Sequence, residues 1–191
     1  MREFEELEEK IRETIGVRLF TVLAWIPERR ALRRVHSSHP EQYPVGGEKT
    51  VEVAQGWLST CIEGREPYLG PDRAAVREIF ADHELIESLG CGAVINVPVV
   101  DRNRDRAVDR DRDGLVDRAG AADRDRDRDG AVDKAVDGGE VLGGEVLGVL
   151  NILDAEGAYD EESVELARSL APLAVPALRE AVPALRGRDN P

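Results

Sequence analysis

Two nearly identical runs, "DRDRDGLVD" from Asp109 and "DRDRDGAVD" from Asp125, set a carboxylate at every second residue and a glycine behind the third. An EF-hand calcium loop begins that way, with oxygen ligands at its positions 1, 3, 5 and 9, Gly at 6 and a bidentate Glu at 12. Asp109, Asp111, Asp113 and Asp117 surround Gly114 in the first run; Asp125, Asp127, Asp129 and Asp133 surround Gly130 in the second. Position 12, however, is Gly120 in one and Val136 in the other, and neither run has amphipathic flanks. Arginine fills the gaps, so residues 101–140 hold 13 acids against 10 bases, too weak a net field to hold a divalent ion tightly. The expectation is a solvated polyampholyte loop without a cofactor, with weak calcium binding by these eight aspartates as the alternative.

The other reactive side chains are few. Cys61 and Cys91 are too sparse for a disulfide framework, which leaves core thiols or a redox pair. His36 and His39 stand three apart, a spacing that sends strand side chains to opposite faces and argues against a shared zinc. "VGGEKT" has the residues of a phosphate loop but not its spacing, and Glu48 puts an anion where phosphate would sit.

The elements that must position these groups follow from periodicity. Phe4, Leu7, Ile11 and Ile15 form one helical stripe closed by Gly16. "VRLFTVLAWIP" and "ALRRVHSSH" flank a turn at "ERR" and predict a β-hairpin. "PEQYPVGGEKT" reads as irregular loop, and residues 51–62 return to helix with Gly64 as its cap. "EPYLG" is a short strand, "DRAAVREIFADHELIESLG" one broken or two short helices, and "CGAVINVPVV" and "EVLGVLNILDA" are long apolar strands. A helix over 160–178 closes the order, with Asp160 as N-cap and Pro172 and Pro176 dividing it. "GGEVL" and "VPALR" are each repeated in tandem, the mark of local expansion tolerated in loops and tails.

The prediction is an α+β domain over residues 1–178: a largely antiparallel sheet flanked by helices, with a long insert, 101–144, in the hairpin between the last two central strands, and 179–191 as a tail. A net charge of −13 excludes a sequence-blind nucleic-acid binder and disfavours an anionic membrane surface. No run of about 20 apolar residues is present and the N-terminus is charged, so the expected location is cytoplasmic.

In segment order the chain resembles the GAF domain family. The resemblance is carried by "RLFTVLAW", the helix around Trp57, "DHELIESLGCGAVINVPV", and "GEVLGVLNILD" running through an acidic turn into "YDEESVELARSLAPL". It implies a PAS-like fold with a pocket between sheet and connecting helices, binding of an unidentified small molecule, and homodimers formed through terminal helices. With no output domain in view, a signal would pass to a partner protein. One branch, the free methionine-(R)-sulfoxide reductases, works through cysteines, so Cys91 and Cys61 carry an alternative enzymatic reading, although that branch's closely spaced cysteines are absent. A ligand-free scaffold is the third reading.

In that architecture the candidate ligand-binding residues are Tyr43, Trp57, Phe80, His83, Cys91, Asn96 and Asn151. Asn96 and Asn151 each interrupt an apolar strand, and a buried amide without a partner costs about 1–3 kcal/mol. Each must meet either a ligand or neighbouring backbone. For Trp57 and Phe80 a place in the core is the stronger reading, since aromatics supply core area in any fold, and free cysteines such as Cys61 and Cys91 are commonly small core residues.

Overall fold

The computed structural model describes residues 2–50, 57, 59–102 and 144–186. Contacts divide the chain into two units, and the fold described here is the first, residues 1–101 with 146–191. Its strands are β1 (Leu19–Ile26), β2 (Ala31–Ser37), β3 (Glu48–Thr50), β4 (Tyr68–Gly70), β5 (Ala93–Asp101) and β6 (Glu145–Asp154). They form one antiparallel sheet in the order β3-β2-β1-β6-β5-β4. The helices are α1 (Arg2–Thr14), α2 (Arg73–Ile79), α3 (His83–Ser88), α4 (Glu161–Leu170) and α5 (Val175–Arg186).

The period-two alternation of β1 sorts its side chains between two different layers. Phe20, Val22 and Ala24 face one layer with Ile95, Val97, Leu150 and Ile152, where α1 lays down Phe4, Leu7 and Ile11 and the C-terminal segments add Ala167, Ala174 and Leu178. Leu19, Leu23 and Trp25 face the other layer. β1 and β6 approach closely at Gly148, where a Cβ would collide with the Leu23 carbonyl oxygen and sit 3.2 Å from Leu178 Cδ1. Glycine is the residue that fits there.

Local signals account for most boundaries. Gly16 ends α1 at φ 80°, and Arg30 at φ 46° closes the turn between β1 and β2. Asp160 caps α4 by accepting from Ser163 N at 2.9 Å, with the Ser163 side chain bonded back to the Asp160 backbone. Pro172 starts a 3-10 turn, Ala171–Ala174, between α4 and α5, so the closing helix is divided there. Two expectations change. The loop after β2 contains β3, because Glu48 and Lys49 find ladder partners in Arg33 and Leu32. The segment from residue 179, expected as a tail, continues α5 to Arg186: Val182 is buried in the core, and Arg179 grips Asp101 through both Nε and Nη2. Asp101 accordingly closes β5 rather than opening the insert.

Residues 103–143 lie between β5 and β6 in sequence and outside the described residues, and with them the eight aspartates of the calcium reading. Most of the helix expected over 51–62 lies outside them too; Trp57 is helical, and Ser59–Glu63 forms a π-helical turn. Gly64 ends that turn, its N–H donating to Ser59 O at 2.6 Å, and a Cβ on it would lie 2.9 Å from Thr60 O.

Candidate functional site

The second face of the sheet carries two apolar clusters. Leu19, Val94 and Leu153 gather Tyr43 from the loop after β2, Val76 of α2, Ile86 of α3 and Cys91, with Phe80 packed against them. Leu23, Trp25, Leu32 and Val149 form the other, covered by Trp57 and by Ile62 of the π-helical turn. Alternation places one residue of each central strand between the clusters: Thr21, Asn151 and Asn96, all buried. Asn96 Nδ2 donates to Asn151 Oδ1 at 2.6 Å, and Asn151 Nδ2 donates to Thr21 Oγ1 at 3.1 Å. In register the row continues to Ser37 on one side and Tyr68 on the other.

The amides of Asn96 and Asn151 were expected to meet a ligand or the backbone. They meet each other, and they enlist Thr21, which the sequence reading had passed over. The signal was there: Thr21 is the lone polar residue of "LFTVLAWI", and the same alternation that found the strand puts it on the asparagine face. Asn96 is 0% exposed, and its Oδ1 has no partner among the described residues. Cys61, 0% exposed under the π-helical turn, places Sγ 3.9 Å from the Asn96 carbonyl oxygen.

Tyr43, Phe80 and Cys91 thus share one cluster, Trp57 belongs to the other, and the asparagines lie between. His83 does not join them; its Nδ1 is 3.8 Å from Glu87 Oε1, and Glu87 is itself held by Arg77. His39 Nδ1 pairs with Ser38 Oγ at 2.9 Å. His36 lies on the opposite face, where Nε2 sits 2.9 Å from Glu8 Oε2 between the rings of Phe4 and Phe20.

Arg34 is a second residue the sequence reading missed. Buried at 7% exposure, its guanidinium lies 4.8 Å from the centre of the Tyr43 ring and Nη1 donates to Pro44 O at 3.2 Å. Burial lowers its pKa, against the raising influence of Tyr43 and Asp82. Burial, then Asp82, pushes the Tyr43 hydroxyl up. Burial likewise raises the Cys61 thiol to about 12 and the Cys91 thiol to about 11, Asp154 adding to the second. Cys91, expected at a pocket edge, is 1% exposed. Both thiols are therefore neutral and covered at physiological pH, the reverse of a reactive thiolate.

No protein-family model matches the chain, and no curated protein does. Solved structures do match. The GAF domain/HD domain protein from Geobacter sulfurreducens is 12% identical at a TM-score of 0.59, over 94% of this chain and 91% of that one. A far-red cyanobacteriochrome photoreceptor is 13% identical at 0.56, over 92% and 84%. The GAF domain of a two-component sensor histidine kinase from Bacillus halodurans is 11% identical at 0.56, over 96% and 95%. The chain has the fold of these GAF domains.

Proposed function

We propose that the chain is a non-catalytic sensor or regulatory module of the GAF type, cytoplasmic and homodimeric, that binds a small organic molecule on the second face of its sheet. The observation that carries this reading is the neutral polar row between two apolar clusters, with a fully buried acceptor, Asn96 Oδ1, left unspent. Apolar surroundings supply affinity and a few placed polar groups supply orientation, the usual make-up of a small-molecule site. In this reading Tyr43, Trp57, Phe80 and Cys91 furnish the apolar contact, and Asn96 and Asn151 the polar one, while His83 stands at the margin. The sensory roles in the names of the matching proteins agree with it. The cysteine-reductase reading has no such support, since both thiols are buried and raised.

Native mass spectrometry of the gently purified protein, with and without EDTA, tests the proposal. A dimer with an organic adduct is the expected result. A bare chain, with no compound class raising its melting temperature, would remove the sensor reading. Mass steps lost on EDTA treatment would assign the aspartates of residues 109–133 to calcium.

A further inference from the structure

The loop after β2 is tied down at both ends. Where it leaves the sheet, Ser38 N donates to Phe20 O and Ser38 Oγ accepts from Phe20 N, each at 2.9 Å. Where it returns, Glu48 pairs with Arg33 on the ladder. Residues 39–47 between these ends form a short surface loop with fixed feet. From Pro40 to Gly46 every residue but one is exposed. The exception is Tyr43, 5% exposed, whose ring enters the cluster of Leu19, Val76, Ile86, Cys91, Val94 and Leu153.

Arg34, on the strand beneath, holds this loop down. Its N–H donates to Gly47 O and its carbonyl accepts from Gly46 N, both at 2.8 Å. Its Nη1 donates to Pro44 O at 3.2 Å, and the guanidinium lies 4.8 Å from the centre of the Tyr43 ring. A Cβ on Gly47 would sit 3.1 Å from Nη1, so the loop backbone rests directly on the guanidinium. Closure nevertheless leaves a group unsatisfied: Arg34 is 7% exposed, and its Nε is buried without a partner among the described residues. Asp82 supplies negative charge to it, but a desolvated cation with one donor unmade still opposes what burial of the Tyr43 ring gains. Opening withdraws one ring from the core and returns a guanidinium to water, while the Ser38 bonds and the β2–β3 ladder stay in place. Segments with so few buried contacts open at a lower free energy than the whole fold.

We propose that residues 39–47 are a strap over the second face of the sheet, with Tyr43 as its plug and Arg34 as its latch, and that it opens without unfolding of the sheet. Its opening is the way in to the face assigned to the ligand. That role rests on the sensor reading, whereas the strap itself rests on the contacts of Arg34 and Tyr43.

Cys91 reports on the strap, because it is 1% exposed in the cluster that Tyr43 plugs; Cys61, 0% exposed under the π-helical turn, reports on the rest of the fold. The full chain, without ligand, is labelled with N-ethylmaleimide at pH 8, and each cysteine is followed by peptide mass mapping. In the natural protein Cys91 reacts slowly, over many hours, at a rate that hardly changes with urea below the unfolding transition. Cys61 reacts more slowly still, with the full urea dependence of global unfolding. Arg34→Met speeds Cys91 about tenfold, the effect of losing a hydrogen bond from a charged donor together with a cation–π contact, and the rate stays insensitive to urea. Tyr43→Ala speeds it further. Arg179→Met, which loosens α5 on the opposite face, speeds Cys61 and leaves Cys91 unchanged, because it weakens the closed and open forms alike. Labelling of both cysteines with one shared urea dependence in the natural protein, a measurement that needs no variant to fold, would overturn the strap. So would a Cys91 rate that Arg34→Met and Tyr43→Ala do not move. Either failure leaves the sensor reading standing, since that is decided by the adduct on the purified protein.

Discussion

Replacing Asn151 with Leu tests whether the polar row is built the way its hydrogen bonds say. Asn151 sits at the middle of the row, accepting from Asn96 at 2.6 Å and donating to Thr21 at 3.1 Å. Its removal strands the amide nitrogen of Asn96, a residue with no exposed surface, beside an amide oxygen already unpaired. A newly unmade buried bond costs about 1–3 kcal/mol, the loss at Thr21 adds about 1, and the extra apolar contact of leucine offsets part of this, leaving about 2 kcal/mol. In a body of this size that is a fall of about 4–8 °C in melting temperature. The triple variant Thr21→Val, Asn96→Leu, Asn151→Leu removes every member at once, strands nothing, and is expected within about 1 kcal/mol of the natural protein. Urea unfolding followed by tryptophan fluorescence, with equal denaturant slopes across the set, measures both. A loss below about 0.5 kcal/mol in the single variant, or a triple variant no more stable than the single one, would refute the reasoning. The triple variant should also lose the ligand adduct while keeping its fold, because the row is retained at a stability cost only where it has something to bind.

Four other outcomes follow from the packing. Gly148→Ala should cost about 1–3 kcal/mol in the same urea assay, because its methyl group meets the Leu23 carbonyl rather than a side chain that can turn aside. Both cysteines should resist an aromatic disulfide reagent at pH 8 and react on unfolding. Their raised folded-state pKa values also mean that stability is intact below the unfolded thiol value of about 8.5 and falls as pH climbs toward 11, which melting temperatures across that window will show. Truncation after Leu178 should destabilise the protein by several degrees, since it removes buried Val182 and the Arg179 clasp on Asp101. Replacing residues 103–143 with a two-residue Asn-Gly turn should leave the far-ultraviolet circular dichroism of the sheet and helices in place and the melting temperature within a few degrees, as expected of a spacer whose closure cost changes by about 0.6 kcal/mol per doubling.

The element order was legible because its signals are local. The stripe Phe4, Leu7, Ile11 marks α1, and the apolar runs at 93–101 and 145–154 mark β5 and β6. Capping by Asp160 needs only a carboxylate three residues ahead of Ser163. β3 escaped because three residues with two charges have no periodicity of their own; their partners in β2 make them a strand. The C-terminal repeat was read as expansion, and its second copy is indeed nearly identical to the first, but repetition says nothing about whether an apolar stripe finds a core. Val182 does.

For the candidate site the division is sharper. By itself the sequence determined the strands, the faces on which their alternate residues lie, and the two amides that break an apolar pattern. Only the tertiary structure decided that these amides meet each other and Thr21, since the partners are 55 and 130 residues apart and a register one residue different would have turned each to the other layer. It also decided that Cys91 is covered. Burial and pairing are properties of what packs against a side chain, and for this sheet those neighbours come from strands, loops and helices far along the chain.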